Sequence, residues 1–189
     1  MNADSALMQL LDSPLVGEAS ARPRPFDLTA PVLVLGVGNL LMGDEGVGVH
    51  ALRLLENELV LAGVRLLDGG TGGANLLGEF DGRRAVVMID ATRDGSAAGT
   101  VTYRYRRAQR VFDLPQGLSA HDFGLKDLFA ASALLGTLPE IHLFTVAVET
   151  VHPMCTKLSD PIARVLPGIV RSVQALARRL AADYEALAI

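Results

Sequence analysis

Two hydrophobic periods alternate along this chain, and they set out strands and helices in turn. Residues 32–35 (Val32, Leu33, Val34, Leu35) are apolar on both faces, as a strand covered from both sides must be. Gly36 and Gly38 follow as a sharp turn, and Asp44 is placed to cap a helix over 45–61. In that helix Val47, Ala51, Leu54, Leu55 and Leu59 share one face, with Arg53, Glu56 and Asn57 opposite. Gly63 ends it, and 64–67 is a second strand. A glycine-rich loop, Asp68-Gly69-Gly70-Thr71-Gly72-Gly73, leads to one or two helical turns at 75–80. Residues 85–89 form a third buried strand that ends at Asp90. Strand 100–106 alternates Val101, Tyr103 and Tyr105 against Thr102, Arg104 and Arg106, the pattern of a half-exposed strand near a sheet edge. A long loop over 107–123 carries His121. Helix 125–135 closes at Gly136, and 141–148 is the last strand. Ser159 or Asp160 caps a terminal helix that starts at Pro161, and Pro167 should kink or restart it. Its apolar face runs through Ile169, Val173, Leu176, Leu180 and Leu187.

Strands alternating with helices predict an α/β domain, with helices on both faces of a mostly parallel sheet. Ligands of such folds bind at the carboxyl ends of the strands. Gly36–Glu45, Asp68–Gly73 and Asp90 all fall on that edge, and the loop with His121 can close over it. Residues 1–30 stand apart. Pro14, Pro23, Pro25 and Pro31 punctuate a stretch of Ala, Arg and Ser that reads as a flexible leader, so 31–189 is one domain.

Composition narrows the class. A chain of 189 residues, half of them hydrophobic, has enough length for a real core. The net charge of −4 argues against nucleic acid as partner. No apolar run reaches the ~18 residues of a membrane span, and no signal peptide opens the chain. The single cysteine, Cys155, has no internal disulfide partner, which points to the cytoplasm.

The candidate chemistry lies in Glu45, Asp90 and His121. A carboxylate that starts a helix is favoured by the helix dipole, and Glu45 can equally be that and no more. Asp90 closes an apolar strand at the functional edge, or caps the loop that follows. One imidazole and two carboxylates together make a divalent-metal site with open positions. Asp68 anchors the glycine loop or lines the site, and the former is the simpler reading. Cys155 is more simply a small buried or semi-exposed residue than a nucleophile. His50 and His142 are structural. Arg104, Arg106, Arg107 and Arg110 form a solvated edge or a patch for an acidic partner. A dinucleotide site is disfavoured. Leu41 stands where the fingerprint needs Gly or Ala, and Glu45 would oppose a pyrophosphate.

Four motifs give the chain a likeness. They are Val34-Leu35-Gly36-Val37-Gly38-Asn39-Leu40-Leu41-x-x-Asp44-Glu45-x-x-Gly48-Val49, Leu67-Asp68-Gly69-Gly70-Thr71, Ile89-Asp90-Ala91 and Ser119-Ala120-His121-Asp122-x-Gly124-Leu125. With these the chain resembles the hydrogenase maturation endopeptidases, over roughly residues 31–180. The resemblance implies a three-layer, phosphorylase/hydrolase-like fold, with a twisted, mostly parallel five-stranded sheet between helices. It implies a hydrolase, aspartic or metal-assisted, that cuts the C-terminal extension from a nickel–iron hydrogenase large-subunit precursor after nickel insertion. Glu45, Asp90 and His121 then meet nickel supplied by the substrate. No tightly bound metal is expected in the isolated protein, which is read as a monomer. Metal-assisted and carboxylate-assisted attack by water stay open together. The competing readings are a Rossmann-like nucleotide- or metal-sensing module and a generic metal-dependent hydrolase. Residues 149–158, with Met154 and Cys155, match the family only loosely.

Overall fold

A computed structural model describes residues 30–58, 61–106 and 124–186. Residues 1–29 of the expected leader, Leu59, the loop with His121, Arg107 and Arg110, and Leu187 lie outside these residues.

Five strands form one sheet: β1 (Val32–Val37), β2 (Val64–Gly70), β3 (Ala85–Thr92), β4 (Val101–Arg106) and β5 (Glu140–Ala147), in the order β2-β1-β3-β5-β4. All neighbours run parallel except β4, which pairs antiparallel with β5 at the edge. The central strands are buried on both faces, as their unbroken apolar runs require. Two cores result. Even-numbered residues of β1 and odd-numbered residues of β3 pack under α1 (Val47–Glu58) and α4 (Asp160–Ala186). The alternate residues pack under α2 (Leu77–Phe80) and α3 (Gly124–Leu134), around Phe80, Leu128 and Phe129. Period-two alternation places Asp90 on the second face, with Val86 and Met88.

Several boundaries differ from the sequence reading. The helix expected from Glu45 opens instead as a 3-10 turn, Gly43–Gly46, and α1 starts at Val47. Leu52, not Leu54, joins Ala51 and Leu55 in the core; Leu54 is 38% exposed. Strand β3 continues past Asp90 to Thr92, because Asp90, Ala91 and Thr92 pair with Thr145, Val146 and Ala147 of β5. Helix α4 runs without a break through Pro167. A mid-helix proline costs ~3 kcal/mol, and here burial of the neighbouring Leu166, Ile169 and Val170 against the sheet offsets it. Gly136, at φ 64°, ends α3 as expected.

This topology has one switch point. From β1 the chain adds β2 on one side and β3 on the other, so the connections leaving the carboxyl end of β1 part there. Open α/β sheets place their sites in that crevice.

Candidate active site

Three glycines build the crevice by letting backbones touch. A Cβ at Gly38 would overlap the carbonyl oxygen of Glu45 and lie 3.0 Å from its carbon, and Gly38 holds a positive φ of 138°. A Cβ at Gly48 would overlap the carbonyls of Ile89 and Val37 and lie 2.7 Å from the Val37 nitrogen. Gly36 approaches the Gly48 carbonyl in the same way. The motif that hinted at phosphate binding is therefore used for packing. It seats the 3-10 turn on the end of β1 and the start of α1 on the last residues of β3.

That seating brings two of the predicted site residues to one edge. Glu45 sits half-buried in the 3-10 turn. Asp90 is fully buried, one residue beyond the last β1–β3 pair, Gly36↔Ile89. Its Oδ1 accepts a hydrogen bond from the Ala91 N–H at 2.8 Å. The third member, His121, lies outside the described residues. Among the described residues, no three His, Cys, Asp or Glu side chains gather as a metal site.

At the ends of β1 and β2 opens a cleft of about 220 Å³, lined by Gly38, Asn39, Leu40, Val49, Asp68, Gly70 and Thr71. Asn39 shapes its wall: its Oδ1 accepts from the Leu41 N–H at 3.0 Å, an Asx turn. Asp68 accepts from the Gly70 N–H at 2.8 Å, so it anchors the glycine loop, the simpler of its two readings, while also lining the cleft.

Asp44 does not cap the helix after it. The 3-10 turn has no side-chain cap, and the Asp44 carboxylate reaches across to α4. Its Oδ1 accepts from the Ser159 N–H at 2.6 Å and its Oδ2 from the Ser159 hydroxyl at 2.7 Å. The partner is 115 residues away, so no local pattern could have pointed to it. The segment before Ser159 is tied to the same loop. The Gly43 N–H donates to the Cys155 carbonyl at 2.7 Å and the Cys155 N–H to the Leu41 carbonyl at 3.2 Å. Cys155 is half-buried, as expected.

His50 and His142 have structural surroundings. His142 is buried in β5; its Nε2–H donates to Glu140 Oε1 at 2.9 Å, and its Nδ1 accepts from the Tyr103 hydroxyl at 2.7 Å. Tyr184 donates to the other Glu140 oxygen at 3.1 Å. Burial, with the Glu140 charge adding to it, raises the pKa of both tyrosines, so they stay protonated donors. His50, on α1, has its pKa lowered, first by burial and further by Arg53; a hydrogen bond to the Thr156 backbone opposes this.

What this edge can do is hold one half-buried and one buried carboxylate at the carboxyl ends of the strands. Such a pair can ligate a cation carried by a ligand, or accept a proton from water.

Known proteins place the chain. A family model described as hydrogenase maturation protease (HycI) matches residues 49–176. The hydrogenase expression/formation protein HoxM of Azotobacter vinelandii is 34% identical over 156 residues, covering 80% of this chain and 75% of that protein. The hydrogenase 2 maturation protease of Escherichia coli is 33% identical over 149 residues, covering 77% of this chain and 90% of its own. Among solved structures, the hydrogenase-maturating endopeptidase HybD from E. coli superposes with a TM-score of 0.67 at 28% identity, covering 78% of this chain and 92% of that one. The matched family is a protease family, and its structures share this α/β architecture. The chain belongs to the hydrogenase maturation proteases.

Proposed function

We propose that this protein removes the C-terminal extension of a nickel–iron hydrogenase large-subunit precursor once nickel has been inserted. The observation that carries the reading is the placement of Glu45 and Asp90 at the same switch-point edge, on backbones that three glycines bring into contact. Family membership supplies the reaction class.

In this reading the nickel is part of the substrate. Glu45, Asp90 and His121 complete its coordination while the precursor's own ligands hold it. The protein needs no tightly bound metal of its own: two carboxylates and one imidazole without thiolates hold divalent ions modestly. Seating the nickel brings the scissile bond to the carboxylate edge, and the extension lies in the cleft along Gly38–Leu40 and Gly70–Thr71. Water then attacks the carbonyl. The substrate metal polarises it, or a carboxylate takes the water proton. The protein works in the cytoplasm as a monomer, and no helix among the described residues is long and apolar enough to cross a membrane.

Glu45→Gln, Asp90→Asn and His121→Ala test the site. Each should lose precursor cleavage by at least about a hundredfold while keeping its far-UV circular dichroism. A folded variant that still processes at the wild-type rate removes that residue from the site. The sensor alternative would show as stabilisation by NAD or ATP in a thermal-shift titration without any cleavage.

A further inference from the structure

We infer that Asp44 is a positioning residue for Glu45, acting through a clamp onto the first turn of α4. The inference rests on the reading of Glu45 as the residue that meets the substrate.

A four-residue 3-10 turn with glycine at both ends has little to hold it. Its hydrogen-bond geometry is poor, the glycines add conformational freedom, and this one has no side-chain cap of its own. What fixes it comes from a segment more than a hundred residues later. Cys155 pairs with Leu41 and Gly43 through backbone bonds, and Met42 and Cys155 form an isolated bridge. Asp44 then closes the clamp. Asp44 is 4% exposed, and each of its carboxylate oxygens accepts one hydrogen bond from Ser159. Ser159 is the residue just before α4, and its carbonyl accepts the Ala163 N–H. The carboxylate thus takes up an N–H at the positive end of a 27-residue helix, a favourable place for a negative charge.

The consequence for Glu45 is rotational. Successive side chains of a 3-10 turn point about 120° apart. With Asp44 pinned to α4, Glu45 cannot turn toward that contact. Gly38 packs beneath its carbonyl, where no side chain would fit. The Asp44 clamp and the Gly38 contact together fix the backbone that carries Glu45.

The test measures kcat and KM for cleavage of nickel-loaded precursor, alongside thermal midpoints. Asp44→Ala should lower kcat about tenfold or more with KM within about threefold, since a misplaced group weakens the reacting geometry more than binding. Asp44→Asn should recover most of that loss, because the amide oxygen still accepts the Ser159 N–H and the amide nitrogen can donate to its hydroxyl. Ser159→Ala, which leaves the backbone bond in place, should give a smaller fall in kcat; it carries the test if Asp44→Ala does not fold. Tyr184→Phe, which loses its bond to Glu140 at the opposite end of the sheet, serves as the stability control. The inference is overturned if Asp44→Ala and Ser159→Ala keep wild-type kcat, if Asn does not rescue, or if Tyr184→Phe with an equal loss of melting temperature loses as much kcat. Wild-type cleavage by Glu45→Gln would instead overturn the reading of Glu45 itself, so the two failures are distinct.

Discussion

Replacing Gly48 by alanine is the sharpest test of how the site is built. Gly48 is the second residue of α1, and its φ lies outside the left-handed region, so alanine meets no backbone strain there. Helix propensity alone predicts a gain of at most ~1 kcal/mol. The surroundings predict the reverse. The added methyl would overlap the carbonyls of Ile89 and Val37, and it would lie 2.7 Å from the Val37 nitrogen. Overpacking costs about 1–3 kcal/mol, and the upper end applies because the neighbours are backbone atoms of two central strands rather than side chains that can swing away. The balance is a loss of about 2 kcal/mol, or roughly 4–8 °C in melting temperature for a chain of this size. Gly78, inside α2, is the matched control: a Cβ there has nothing within 4 Å. Gly78→Ala should raise the midpoint by up to ~3 °C. Scanning calorimetry on the three proteins reads both signs. A Gly48→Ala protein as stable as wild type would refute the claim that backbone contact sets this junction. If the contact is real, the variant should also lose cleavage activity, because α1 cannot lift off β3 without moving the turn that carries Glu45.

Two further expectations concern groups away from the cleft. His142→Phe leaves the Tyr103 hydroxyl and Glu140 Oε1 without their partner, which should cost about 2 kcal/mol. Yet His142 lies three residues before Thr145, the partner of Asp90, so it is ~10 Å along the strand from the site and precursor cleavage should be unchanged; a lost midpoint with lost activity would contradict the separation of the two ends of the sheet. His50, with its pKa lowered by burial, disfavours its charged form in the folded state. Its stabilising contribution is complete above the unfolded value of 6.5 and is lost as pH falls through the lower folded value. The melting temperature should therefore drop more between neutral pH and about pH 5 in wild type than in His50→Gln, and equal slopes would remove His50 from the acid response.

Much of this architecture is legible from residue patterns alone, and the exceptions have physical causes. Val32–Val37 and Ala85–Thr92 announce themselves because strands buried on both faces must be apolar throughout. Asp90 stands out as the one charge in such a run. Its strand outlasts it for a reason no local window contains, the ladder to Thr145–Ala147. Leu52 takes the place of Leu54 because the stripe of α1 that meets the sheet runs through Gly48, Ala51, Leu52 and Leu55. Asp44 itself has a side chain suited to a cap, and it does serve a helix N-terminus, but that of α4 rather than of α1. The glycines of the first motif were visible as a turn; that they serve contact between backbones needs the third dimension.

The central claim is tested most directly by incubating the purified protein with a cognate hydrogenase large-subunit precursor, nickel-loaded in one arm and nickel-free in the other, and following intact mass. The account predicts loss of a C-terminal peptide from the nickel-loaded precursor alone. Cleavage of both forms would keep the protease and contradict the nickel check, and an intact nickel-loaded precursor would contradict the proposed function.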